Sequence, residues 1–153
     1  MKKLLLFSLI GCLVSGALFA QSINDEAAVK APIVQLFVGM NKSDSASVHQ
    51  TLMTGARLET VTKNKAGEVM VKSDSFEGFL KSIGSAPAGD LDERLTAIEI
   101  RMDGDMATVW TPYKFYYKGN FSHCGVNAFQ LIKTAAGWKI WSIIDTRRKE
   151  GCE

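Results

Sequence analysis

Histidine, cysteine and proline are scarce in this chain, at 2, 3 and 3 among 153 residues. With only His49 and His123, and with no H-x-x-x-H or C-x-x-C spacing, no dedicated metal site is expected. No G-x-S-x-G elbow, phosphate-cradling glycine loop or dinucleotide fingerprint occurs, so the chain lacks the signatures of common hydrolases, nucleotide hydrolases and dehydrogenases, and no cofactor is expected. Charge of one sign is lacking too. The formal +2 comes from Lys2 and Lys3, and the rest of the chain carries 16 acidic and 16 basic side chains. Such a balance leaves no electrostatic footprint for nucleic acid or an anionic membrane. The longest apolar run, Leu4 to Leu18, falls short of the roughly 20 residues of a comfortable bilayer span.

That run follows Lys2-Lys3 and precedes Phe19-Ala20-Gln21, the pattern of a signal peptide over residues 1–20, with Ala17 as a second cleavage candidate. Leu9-Ile10-Gly11-Cys12 also has the form of a lipoprotein processing box. The apolar stretch before Cys12 is short and continues beyond it, so soluble export, to a periplasm or the exterior, is the preferred expectation, with no membrane association after processing. Residues 21–153 then form one domain, long enough to bury a core. Cys124 and Cys152 survive processing, and an oxidising compartment favours a bridge between them worth about 3 kcal/mol, with two independent thiols as the alternative.

Asn24-Asp25-Glu26 reads as a helix start, with Val29, Ile33, Phe37 and Met40 at helical spacing, Val34 and Leu36 widening the stripe, and Pro32 either kinking the helix or marking its first turn. Ser45 to Met53 reads as a second helix. Leu58 to Lys72 alternates around Asn64-Lys65-Ala66-Gly67 as a hairpin, and Asp74 to Ile83 has a third helical stripe capped by Ser73 or Asp74. Ser85 to Asp90 is a loop. Strands follow over Leu95 to Met102 and Ala107 to Tyr117, then two closing strands. Helices first and a long antiparallel meander last predict an α+β domain with helices on one sheet face.

A turn at Ala135-Ala136-Gly137 that pairs Thr134 with Trp138 sets Asn127 opposite Asp145, Phe129 opposite Ile143, Gly125 opposite Arg147 and Cys124 opposite Arg148. His123, Asn127, Asp145 and Arg147 thereby share one face. Such a group can bind a polar head group or move a proton, with Asp145 or His123 as general base; its plainer reading is an ion pair at a strand end with His123 at the rim. Trp110, Phe129 and Trp141 suit core or dimer packing, and alternatively a stacking platform for a flat ligand. Trp110 and Tyr113 share a strand face only if Pro112 introduces a bulge. His49 reads as a surface residue. Cys124 points away from His123 and is poorly placed as a nucleophile.

The chain resembles the nuclear transport factor 2-like superfamily, close to its SnoaL-like and lumazine-binding branches. The resemblance rests on Phe37 to Asp44, Val109-Trp110-x-Pro112-Tyr113, His123 to Leu131, Gly137-Trp138-Lys139-Ile140 and Asp145-Thr146-Arg147-Arg148. It implies a cone-shaped fold with N-terminal helices on a curved antiparallel sheet, a pocket in the cone, and a homodimer paired through the sheet. It implies no single chemistry, because isomerases, cyclases, dehydratases and non-catalytic adaptors share the fold. The combined expectation is an exported domain that binds a small, partly apolar molecule. Trp110, Tyr113, Phe129 and Trp141 would supply contact area, and His123, Asn127, Asp145 and Arg147 would orient a polar end. An isomerase or dehydratase and a protein-interaction module are the alternatives.

Overall fold

Alternation of apolar and polar residues builds most of this molecule, and one sheet carries it. The computed structural model describes residues 14–152, with side chains from Asp25 onward; the expected export segment, its cleavage points and Cys12 lie outside the residues described in full. Helix α1 (Val14–Asn41) passes through Asn24, so that residue does not cap it, as suits the helix-favouring Ala and Leu before it. Pro32 lies inside α1 and costs it one backbone bond. Val29, Ile33, Leu36 and Met40 are buried along one stripe, whereas Val34 faces outward. Helix α2 (Ser45–Thr51) starts where the Asp44 side chain accepts the Ser47 amide at 2.9 Å.

Strand β1 (Leu52–Lys63) begins earlier than its alternation suggests, and β2 (Val69–Asp74) returns from it after the Asn64 turn, where Asn64 Oδ1 accepts the Ala66 and Glu68 amides. Helix α3 (Phe76–Ser85) is capped by Ser75, whose hydroxyl accepts the Gly78 amide at 3.0 Å, one residue beyond the expected caps. The strand expected over Leu95 to Met102 is two strands, β3 (Leu91–Leu95) and β4 (Glu99–Asp103), both antiparallel to β5 (Met106–Tyr117). Pro112 explains the break. It holds the usual pairing with Val126 and makes no bulge, and its carbonyl accepts the Thr96 amide across the gap between β3 and β4. Amide and carbonyl of one strand residue point the same way, so the missing proline donor faces a place with no ladder to complete.

Strands β6 (Asn120–Thr134) and β7 (Gly137–Arg148) finish the sheet, in the order β2-β1-β7-β6-β5-β3, with β4 also on β5. The sheet is mixed: β1 runs parallel to β7, and the other pairs are antiparallel. All three helices pack on one side of this curved, unclosed sheet, and the core lies between, around Ile33, Leu36, Ile83, Phe129, Leu131 and Ile140.

The closing hairpin reaches its expected register by an unexpected route. Thr134 pairs with Gly137, across a two-residue turn, which is one step off. A bulge between Gln130 and Leu131 leaves Trp141 as the extra residue on β7 and restores the register beyond it, so Asn127 does face Asp145 and Cys124 does face Arg148. Cys124 and Cys152 form a disulfide with Cα atoms 5.7 Å apart, pinning the tail to the outer face of β6.

Candidate functional site

Between the inner sheet face and helices α1 and α3 lies a cavity of about 520 Å³. The helices give it apolar walls, chiefly Leu36, Phe37 and Met40 from α1 and Phe79 and Ile83 from α3. Phe129, fully buried on β6, meets Phe37 edge-on with ring centroids 6.2 Å apart. These side chains are packed at one end because every second residue of β6 and β7 is large and apolar there.

At the other end the same alternation delivers polar groups. The Tyr113 hydroxyl lies 3.2 Å from Asp145 Oδ2 and 3.1 Å from the Thr146 carbonyl oxygen, and it can donate to either. Arg147 Nε donates to Asp145 Oδ2 at 2.8 Å, and an Arg147 terminal nitrogen reaches Thr60 Oγ1 at 3.3 Å. Asp145 is 6 % exposed, and its Oδ1 is buried without a partner. Asn127 Nδ2 donates to Glu93 Oε1 at 2.8 Å and lies 3.5 Å from the buried Thr111 hydroxyl. Gly125 makes room for this arrangement. A Cβ there would collide with the Thr146 carbonyl and come within 2.9 Å of the Tyr113 ring.

Electrostatics differ sharply among these groups. Burial pushes the Glu93 carboxyl up to about 7, the Asn127 bond opposes the rise, and nearby Asp145 adds to it. Burial, then the charges of Asp145 and Glu93, hold the Tyr113 phenol far above its ordinary range, so it remains a hydrogen-bond donor. Burial, then the charge of Arg147, lowers His123, whose Nδ1 lies 3.0 Å from the Ser122 hydroxyl. The His123 ring packs tilted against Phe115, with centroids 5.1 Å apart, and edge-on to Tyr113 at 5.8 Å.

Of the residues singled out from the sequence, Tyr113, His123, Asn127, Phe129, Asp145 and Arg147 line this cavity together. Trp110 and Trp141 do not. Without a bulge at Pro112, Trp110 falls on the outer face, half exposed. Trp141 is the extra residue of the β7 bulge, and its ring lies 3.8 Å from where a Cβ on Gly55 would stand. Sequence reasoning missed Glu93 altogether, along with Thr60 and Thr111. The signal for Glu93 was present in Leu91-Asp92-Glu93-Arg94-Leu95, where two leucines flank it at strand spacing and mark an inward-facing acid.

The family described as "Putative lumazine-binding" matches residues 24–143. No curated protein matches the chain. Among solved structures, a nuclear transport factor 2-like protein with a cystatin-like fold from Novosphingobium aromaticivorans superposes with a TM-score of 0.68 at 14% identity, over 94% of each chain. A structure described as a "putative dehydratase" of the nuclear transport factor 2-like family, from Streptomyces avermitilis, matches with a TM-score of 0.64 at 17% identity, over 83% of this chain and 98% of its own. One described as a "putative scytalone dehydratase" from Novosphingobium aromaticivorans gives a TM-score of 0.65 at 11% identity, over 85% of this chain and 88% of its own. At these identities the structures share the fold alone.

Proposed function

We propose, for a chain that belongs to the family described as "Putative lumazine-binding" and has the nuclear transport factor 2-like fold, that it is an exported domain which holds a small, partly apolar molecule. One observation carries this reading. The cavity is apolar at its helix end and ends in polar groups that leave a buried acceptor, Asp145 Oδ1, without a partner. A buried polar atom without a hydrogen bond costs about 1–3 kcal/mol, and a ligand donor would recover it. The Cys124–Cys152 bridge supports export, because disulfides persist in oxidising compartments. The proposal includes a homodimer through the outer sheet face, where Trp110 stands half exposed.

Native mass spectrometry on protein purified from its exported compartment tests the reading. A co-purifying small-molecule mass is the expected result. A clean apo mass, together with no reproducible binder in a compound screen, overturns it. The same spectrum reports whether two copies pair.

A second reading has one specific observation in its favour. Glu93, held at about 7 beside Asp145, has the acidity a general base needs near neutral pH. In an isomerase or dehydratase of this geometry Glu93, with Asp145 or His123, would move the proton, and the Tyr113 hydroxyl would donate to a developing oxyanion. Under that reading Glu93→Gln or Asp145→Asn loses turnover and retains binding. Equal turnover by wild type and both variants removes it.

A further inference from the structure

The polar end of the cavity holds two carboxyl groups and one cation, and that imbalance bears on what it receives. Arg147 is committed to Asp145 Oδ2 and to Thr60. Glu93 is bonded to the neutral Asn127 amide and has no cationic side chain among its hydrogen-bond partners. Asp74, at the cavity rim, is already neutralised by Lys72 at 2.9 Å. Facing Glu93 are Tyr113 from β5, His123 from β6, and Asp145 and Arg147 from β7, while α1 presents only Leu36, Phe37 and Met40 to the space between them. With Glu93 ionised, the cavity lining is one positive charge short there, next to a buried and unpartnered carboxyl oxygen; Lys149, whose charge acts on His123, is not among the lining residues.

Resting on the binding reading above, we propose that the ligand is an organic cation: a protonated amine on an apolar body. Its N–H groups meet Asp145 Oδ1 and the Glu93 carboxyl, and its body lies along Phe37, Phe79 and Phe129. The arrangement suits such a cation in two independent ways. A charge-assisted bond to a carboxylate is about twice as strong as a neutral one. The rings of Tyr113 and Phe115 line the same cavity, and an aromatic face attracts a desolvated cation. An anion would meet two carboxyl groups for one guanidinium and is disfavoured. Below about pH 7 Glu93 holds a proton, and the ligand's charge takes that proton's place. Affinity for the amine then rises with pH up to about 7 and levels off above it.

Calorimetry with three probes of one shape, 4-phenylbutylamine, 4-phenylbutanol and 4-phenylbutyrate, tests this on the processed chain. At pH 8 the amine is expected to bind about tenfold more tightly than either other probe, a difference of about 1.4 kcal/mol. At pH 6 that preference falls severalfold. Glu93→Gln, which relieves a buried acid and so keeps the fold, removes the pH dependence and narrows the preference for the amine. If the alcohol or the carboxylate binds as tightly as the amine, the cation assignment is overturned while the binding reading stands. If none of the three binds, the cation assignment is overturned, while the binding reading stands or falls on the native mass spectrum.

Discussion

The two faces of the sheet carry hollows of similar size, about 520 Å³ inside and about 490 Å³ outside, and both are lined by charge. Outside, Arg57, Glu59, Glu99 and Arg101 surround Trp110, two acids against two bases, open to water. Inside, Glu93, Asp145 and Arg147 are unequal in sign and lie against aromatic and aliphatic walls, with Asp145 buried and the Arg147 side chain half exposed. Water screens the outer set, so its members need no fixed partners, and each contributes little. Among the inner set the two carboxyl groups are screened far less. Each inner group is placed by a named neighbour, and burial, with the charge of Asp145 adding to it, pushes the Glu93 carboxyl up to about 7. The same residue types therefore mean surface on one side and a site on the other.

The sharpest way to break the contrast is to close the inner side. Gly125→Ala should destabilise the fold by about 3 kcal/mol or more in urea denaturation, because the new methyl group meets the Thr146 carbonyl, which is backbone and has little freedom to give way. Next in size is the bridge that ties the C-terminal tail to β6. Replacing Cys124 and Cys152 by serine together should cost about 3 kcal/mol, from the loop of sequence separation 28 that the bridge closes. Reducing agent should lower the wild type toward the double variant and leave that variant unmoved.

Titration sharpens the comparison further. Glu93 is raised from 4.5 to about 7, so below pH 4.5 folded and unfolded chains both hold the proton and no penalty exists. Between pH 4.5 and 7 the folded chain keeps a proton that the unfolded chain has released, and stability falls as pH rises. Above pH 7 the penalty is complete. Glu93→Gln should therefore gain about 2 kcal/mol at pH 8, allowing for partial solvent access, and nothing at pH 4, in denaturation at the two pH values. The smallest effect belongs outside. Trp110→Ala should change monomer stability by less than about 0.5 kcal/mol and leave ligand affinity unchanged, while shifting the proposed sheet-face dimer toward monomer in sedimentation velocity.

Much of the inner face was legible in the sequence because its information is local. Period-two alternation along β6 and β7 sets which residues face inward, and the pairs Asn127 with Asp145 and Phe129 with Ile143 come out as expected because the Trp141 bulge offsets a turn one residue shorter than the sequence suggests. What was not legible is non-local or cancels. The parallel pairing of β1 with β7 joins segments some eighty residues apart and leaves no periodic trace. Glu93 sits on a five-residue edge strand next to a loop rich in Gly, Ala and Pro, where β3 borrows its order from β5. Trp110 was misjudged as a companion of Tyr113 only so far as Pro112 was allowed a bulge; the proline's missing donor is absorbed by the β3–β4 gap.

The extra residue at Trp141 has a consequence for how this hairpin can change length. Ile140 and Ile143 are both buried although three positions apart, because the bulge absorbs the odd residue between them. Everything from the turn to Ile140 is thereby uncoupled in phase from Ser142 onward. A single-residue deletion at position 141 leaves Gln130 opposite Ser142 and Asn127 opposite Asp145, whereas the same deletion at position 144 inverts Asp145 onto the outer face. A change of length at Trp141 thus spares the polar end of the pocket, one between Ser142 and Asp145 turns its carboxylate away, and on the turn side the buried Trp138 and Ile140 hold the phase.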